Sequence, residues 1–142
     1  MEFKNKDQIL YIRKQKGRNI KFNYTNEIYK VYEYDNKLRY FEVLIDGENK
    51  LLERKMVTFS PAKPSATSYQ TDKPADFKRE DDQYYLRYAN GSIIEIPTRK
   101  RSFYDIFGTN SGKIKKFVKS NKYNIKDTAD LKQIIMYYNR LK

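Results

Sequence analysis

Neither cysteine nor histidine occurs among the 142 residues, and these two absences remove more chemistry than any other feature of the chain. Without cysteine there are no disulfides, thiolate metal sites, cysteine nucleophiles or lipid anchors on a cysteine within these residues. Without histidine the commonest general base, the commonest metal ligand and every Ser-His or Cys-His arrangement are missing together. Glycine is scarce as well, with five residues, none of them spaced as a GxGxxG or GxxxxGK[ST] phosphate loop. The segment from Gly108 through Ser111 and Gly112 to Lys113 has the wrong spacing for such a loop. It reads as a helix C-cap followed by an N-cap. No apolar run approaches the roughly 18 residues of a membrane span, and Met1 to Lys6 lack the apolar stretch of a signal peptide. The expectation is a soluble chain with no cofactor and no catalytic apparatus. Its place is the periplasm or cell surface if an export signal has been removed, and the cytoplasm otherwise.

What remains is aromatic and basic. Hydrophobic residues make up 39% and charged residues 34%, a lean composition for a packed fold were it not for 14 Tyr and 8 Phe, whose rings each bury a large area. Aromatics are therefore expected to build much of the core. The net charge of +12 is uneven, because residues 99–142 hold twelve Lys or Arg against three Asp, a net +9. Such a field favours anionic partners, whether nucleic acid, acidic headgroups or acidic polysaccharide, while a solvated lysine face accounts for the same composition.

From Gln8 to Phe59 apolar and polar residues alternate between turn signals at roughly ten-residue spacing, the pattern of an antiparallel meander. Gly17 closes a turn before Ile20–Phe22. The runs Ile28–Tyr34 and Leu38–Ile45 pair across Asp35-Asn36, and Asp46-Gly47 leads into one returning strand over Lys50–Phe59. Residues 60–82, with Pro61, Pro64 and Pro74, read as a Pro/Ser/Thr-rich loop. Tyr84–Tyr88 and Ile93–Ile96 flank Asn90-Gly91, which predicts a type I′ hairpin. Beyond Pro97 the period lengthens to about 3.6. Ser102 is expected to cap a short helix ending near Gly108, Asn110 or Ser111 to cap a second with Ile114, Phe117 and Val118 on one face, and Asp127 or Thr128 to cap a third with the stripe Leu131, Ile134, Ile135, Tyr138 and Leu141.

Three groups of residues invite a functional reading. Glu80-Asp81-Asp82 is the densest acidic cluster, but three neighbours on a Pro-rich loop do not make the spaced carboxyl pair of a glycosidase. Tyr29, Tyr32, Tyr34, Tyr84 and Tyr88, together with Tyr40 and Tyr85, stand on predicted strands and offer an aromatic surface for rings, or ordinary sheet packing. Arg99, Lys100, Arg101, Lys113, Lys115, Lys116, Lys119 and Lys122 form the candidate anion- or partner-binding set. No RNP-type motif, zinc finger or helix-turn-helix spacing accompanies them.

The segments Tyr40-Phe41-Glu42-Val43-Leu44-Ile45-Asp46-Gly47, Tyr84-Tyr85-Leu86, Gly91-Ser92-Ile93-Ile94, Ile114-Lys115-Lys116-Phe117-Val118-Lys119 and Tyr137-Tyr138-Asn139 occur in an order that resembles a group of uncharacterised exported and cell-envelope proteins of the Bacteroidota. The resemblance covers roughly residues 38–142 and implies a periplasmic or cell-surface location; it carries no catalytic residue. The expected fold is α+β, with an antiparallel sheet of six or seven strands over 1–98 and a basic cluster of three short helices over 99–142 packed on it. The expected function is non-enzymatic docking of a protein, glycan or other envelope partner. The alternative is a nucleic-acid-binding module acting through the basic helices.

Overall fold

The computed structural model describes residues 2–5, 8–63 and 73–141, with side chains described from Tyr11 onward. The chain is α+β. Six antiparallel strands, β3 (Asn19–Lys21), β4 (Ile28–Tyr34), β5 (Lys37–Ile45), β6 (Lys50–Arg54), β9 (Gln83–Arg87) and β10 (Ile93–Glu95), form one sheet in the order β10-β9-β6-β5-β4-β3. Two ribbons stand apart from it: β1 (Glu2–Asn5) with β2 (Gln8–Tyr11), and β7 (Val57–Ser60) with β8 (Asp76–Arg79). The helices α1 (Lys100–Asp105), α2 (Ser111–Ser120) and α3 (Thr128–Arg140) follow, with a 3-10 turn at Gly108–Asn110.

The sheet curls. Tyr34 on β4 and Tyr85 on β9 have two strands between them, which in a flat sheet at about 4.8 Å spacing would hold them about 14 Å apart. Their rings meet at 5.1 Å. The concave face is sealed by its own aromatics, with Phe41, Leu52 and Tyr85 fully buried beneath Tyr32, Tyr34, Val43 and Ile93. On the opposite face Leu51 and Leu86 join Phe103, Phe107, Ile114, Val118, Leu131, Ile134 and Ile135 in the main core. The helical stripes read from the 3.6-residue period therefore close over one end of the sheet.

Local chemistry departs from expectation at several points. The Lys50–Phe59 run is not one strand; the ladder to the sheet ends at Arg54, and Val57–Ser60 turns away to pair with Asp76–Arg79. The 60–82 segment is thus partly a hairpin, whose proline content conceals its alternation. Pro61 has no N–H to donate, and the ladder lapses there before resuming as mutual 2.9 Å bonds between Lys63 and Lys73. Residues 64–72, with Pro64, lie outside the described residues. The type I′ conformation belongs to Asp35 and Asn36, at φ 53° and 56°, whereas at the β9–β10 turn only Gly91 is left-handed, at φ 91°. Tyr88 there accepts the Gly91 N–H and donates to Ser92, making a three-residue loop with a G1 bulge. Asn90 Oδ1 accepts the Ser92 N–H at 2.9 Å, which favours this turn over the mirror one.

Gly47 is needed for space, not for positive φ. A Cβ on it would lie 2.5 Å from the Asn139 side chain, which bonds Asn49 by accepting from its backbone N–H at 2.9 Å and donating to its carbonyl at 2.8 Å. The β5–β6 turn is thereby fastened to the last turn of α3. Ser102 does not cap α1, which starts two residues earlier, and its N-cap Arg99 makes no side-chain bond. Asn110 precedes α2 without such a bond too. Asp127 does cap α3, accepting the Asp130 N–H at 3.0 Å.

Candidate functional site

The basic helices form a groove of about 750 Å³ whose walls carry Lys100 and Arg101 from α1, Lys115 and Lys119 from α2, and Lys122 just beyond it. Lys115 and Lys119 share a face because they are one helical turn apart, and that spacing of like charges opposes helix stability. Lys122 reaches the groove by an unusual route. The end of α2 is a Schellman motif, with Lys122 N–H on the Lys119 carbonyl and Tyr123 N–H on that of Val118. The left-handed residue at its centre is Lys122, at φ 56°, where glycine is the ordinary occupant. Backbone strain at Lys122 and repulsion between Lys115 and Lys119 accompany the gathering of cations around one hollow.

All eight basic residues singled out in the sequence are exposed. Five line the groove, and Arg99, Lys113 and Lys116 do not. Among the described residues none of the eight makes an ion pair. Asp105 is the one acid on the groove wall, and Tyr104 and Tyr123 border it. Both tyrosines are half-buried and meet Phe103 and Phe117 edge-on at 5.4 and 5.5 Å.

The tyrosine set is divided by the sheet. Strand register puts Tyr29 and Tyr84 on the helix-facing side, where Tyr88 also packs against the main core, and Tyr32 and Tyr34 on the concave side. Their polar and ring atoms are already engaged. Tyr88 donates to the Ile106 carbonyl at 2.6 Å, Tyr84 and Thr128 share a hydrogen bond at 2.5 Å, and the Arg87 guanidinium lies 4.9 Å from the Tyr32 ring. Tyr40, likewise on the helix-facing side, donates to the Ile12 carbonyl. These residues build the fold and do not make one stacking surface.

A second polar cluster was not foreseen. Tyr29, Glu42, Glu53 and Tyr84 lie directly opposite one another across β4, β5, β6 and β9. Both glutamates are buried, with 9% and 8% exposure. Their environments differ. Glu42 accepts from Tyr29 at 3.0 Å and pairs with Lys55 at 2.8 Å, and Lys55 also reaches Glu27 at 3.2 Å. Chiefly through its bond to Glu42, Lys55 is held well above the usual lysine range. Burial, with the charges of Glu42 and Asp82 behind it, pushes the Glu53 carboxyl up, while the adjacent Tyr84 hydroxyl acts in the opposite direction. Glu42 keeps its ion pair with Lys55, burial inclines Glu53 to hold its proton, and the cluster ties β4 to α3 through Tyr84 and Thr128. The available signal was a lone charge inside an apolar run at Phe41-Glu42-Val43; Glu53, followed by Arg54 and Lys55, gave none. The Glu80–Asp82 cluster contributes Asp82 alone, which accepts from Arg79 at 2.8 Å.

No family model, curated protein or solved structure matches the chain. Among the described residues no group of acidic side chains is arranged to hold a metal ion, and no helix is long and apolar enough to cross a membrane.

Proposed function

We propose that the chain is a non-enzymatic binding component of a bacterial cell envelope whose α1–α2 groove docks an acidic glycan. The observation that carries this reading is five cations around one hollow, with Asp105 the one acid on its wall and no ion pair to any of the five among the described residues. Uncompensated like charges raise the local potential and draw anions to the surface. The two bordering tyrosines are packed against phenylalanines, which favours hydroxyl contacts with a sugar over the stacking of a base. The envelope location rests on the resemblance over residues 38–142. The glutamate pair supports a structural role, since both side chains are buried and Glu42 is held by Tyr29 and Lys55 of its own chain.

The test is a titration with a uronic-acid oligosaccharide at several salt concentrations. Binding should weaken steeply with salt, and the triple variant K115Q/K119Q/K122Q should lose at least about tenfold in affinity. A triple variant that binds like the parent protein overturns the groove assignment. Generic single-stranded RNA that displaces the oligosaccharide and binds more tightly would transfer the site to the nucleic-acid reading. Cell fractionation that leaves the native protein in the cytoplasm would remove the envelope location.

A further inference from the structure

The β7–β8 ribbon carries an apolar face of its own, distant in sequence from the basic groove. The register pairs Val57 with Arg79 and Phe59 with Phe77, and the Lys63–Lys73 bridge continues it. Period-two alternation therefore puts Val57, Phe59, Pro61 and Lys63 on one face with Lys73, Ala75, Phe77 and Arg79. Thr58, Ser60, Asp76 and Lys78 fall on the other. The apolar face is open to solvent: Val57, Phe59 and Phe77 are 57%, 53% and 70% exposed, and the two phenyl rings touch only at 4.9 Å in a tilted pair. A two-stranded ribbon is marginal in water without a covering layer, so this one leaves its largest side chains where a partner would bury them.

We infer that this face docks on a bilayer bearing acidic headgroups, with Val57, Phe59 and Phe77 entering the interface. Charge selects that occupant. The apolar patch ends on two lysines set directly across from each other, an arrangement that repels until an anion lies between them. By register Asp76 belongs to the reverse face; it borders the hollow that Phe59, Lys63 and Lys73 line, where the two lysines outnumber it. Arg79 at the other end is held by Asp82, which leaves Lys63 and Lys73 as the cations offered to headgroups. Interfacial insertion asks for apolar area and positive charge on one surface, and this face offers both. The chain's net charge of +12 adds long-range attraction to such a surface.

The chain contains no tryptophan, so F77W places a single fluorescent reporter in the patch. Vesicles of phosphatidylglycerol and phosphatidylcholine should shift its emission to the blue and carry the protein upward on flotation, while pure phosphatidylcholine should do neither. In the F77W background, K63Q/K73Q should weaken partition roughly 30-fold and F59S roughly tenfold. These positions are outside the core, and far-ultraviolet circular dichroism checks that each variant stays folded. The groove variant K115Q/K119Q/K122Q should keep the blue shift, which separates this surface from the glycan site. Flotation without a blue shift would place membrane contact elsewhere and overturn the assignment. So would full binding by F59S, the absence of any lipid response, or a blue shift that grows with protein concentration in the absence of lipid, which would identify a second copy of the chain as the cover.

Discussion

The sheet and the helical tail treat charge in opposite ways. Every ion pair among the described residues has both partners before residue 83. Asp46 alone receives both Lys30 and Lys50, which hold its carboxyl below the ordinary range. Among the described residues the tail's cations make no ion pair, and five of them gather at one groove. Charge in the first region holds strands in place, and the groove cations of the second face solvent. The distinction can be broken by substitution: removing a paired sheet charge should cost stability, and removing a tail charge should not.

The largest effect is expected at Lys55, the counter-ion of the buried Glu42 carboxylate. K55M leaves that carboxylate with the Tyr29 hydroxyl as a remaining donor and Glu53 opposite, and, because Lys55 is partly exposed, should destabilise the fold by about 1–2 kcal/mol. Denaturant unfolding measures this, and a loss no larger than that of K116M on the tail would show that the cluster does not hold the sheet. The next effect has the opposite sign. Lys122 occupies a left-handed position at some cost, so K122G should stabilise the chain by about 0.5–1 kcal/mol while weakening oligosaccharide binding. A variant that gains stability and keeps its affinity would sever the strained lysine from the groove's purpose.

The overall architecture was legible where periodicity and turn chemistry agree. Ile28–Tyr34 and Leu38–Ile45 pair across Asp35-Asn36, and Leu131, Ile134 and Ile135 line the core face of α3. It was illegible where one residue type serves two ends. Gly47 is required by the approach of Asn139 from 92 residues further along the chain, and no local pattern encodes that contact. Pro61 and Pro74 read as loop punctuation although the strands around them continue to pair. The groove was half visible. Charge named its lysines, but only the packing of α1 against α2 separates Lys100, Arg101, Lys115, Lys119 and Lys122 from Arg99, Lys113 and Lys116. The glutamate row escaped because Glu42 and Glu53 are eleven positions apart in sequence and become neighbours only through strand register.

Glu53 sharpens the comparison most finely, because it is a sheet charge without a cation of its own. Its carboxyl is raised from the ordinary glutamate value of 4.5, first by burial and then by the charges of Glu42 and Asp82. A group raised on folding contributes stability that is fully present below the unfolded value and is lost as pH rises through the folded one. Between about pH 4.5 and that higher folded value, Glu53 should therefore pull stability down as pH climbs, whereas Asp46, whose carboxyl is lowered, adds stability as pH climbs towards 3.8. E53Q removes the ionisation and the repulsion from Glu42 opposite it, and should stabilise the protein by about 0.5 kcal/mol at neutral pH with no gain at pH 4. Melting temperatures of the two proteins across that range decide the matter. An E53Q curve parallel to the parent's would mean that Glu53 titrates alike in the folded and unfolded chain, and that the sheet tolerates a second carboxylate beside Glu42 without cost.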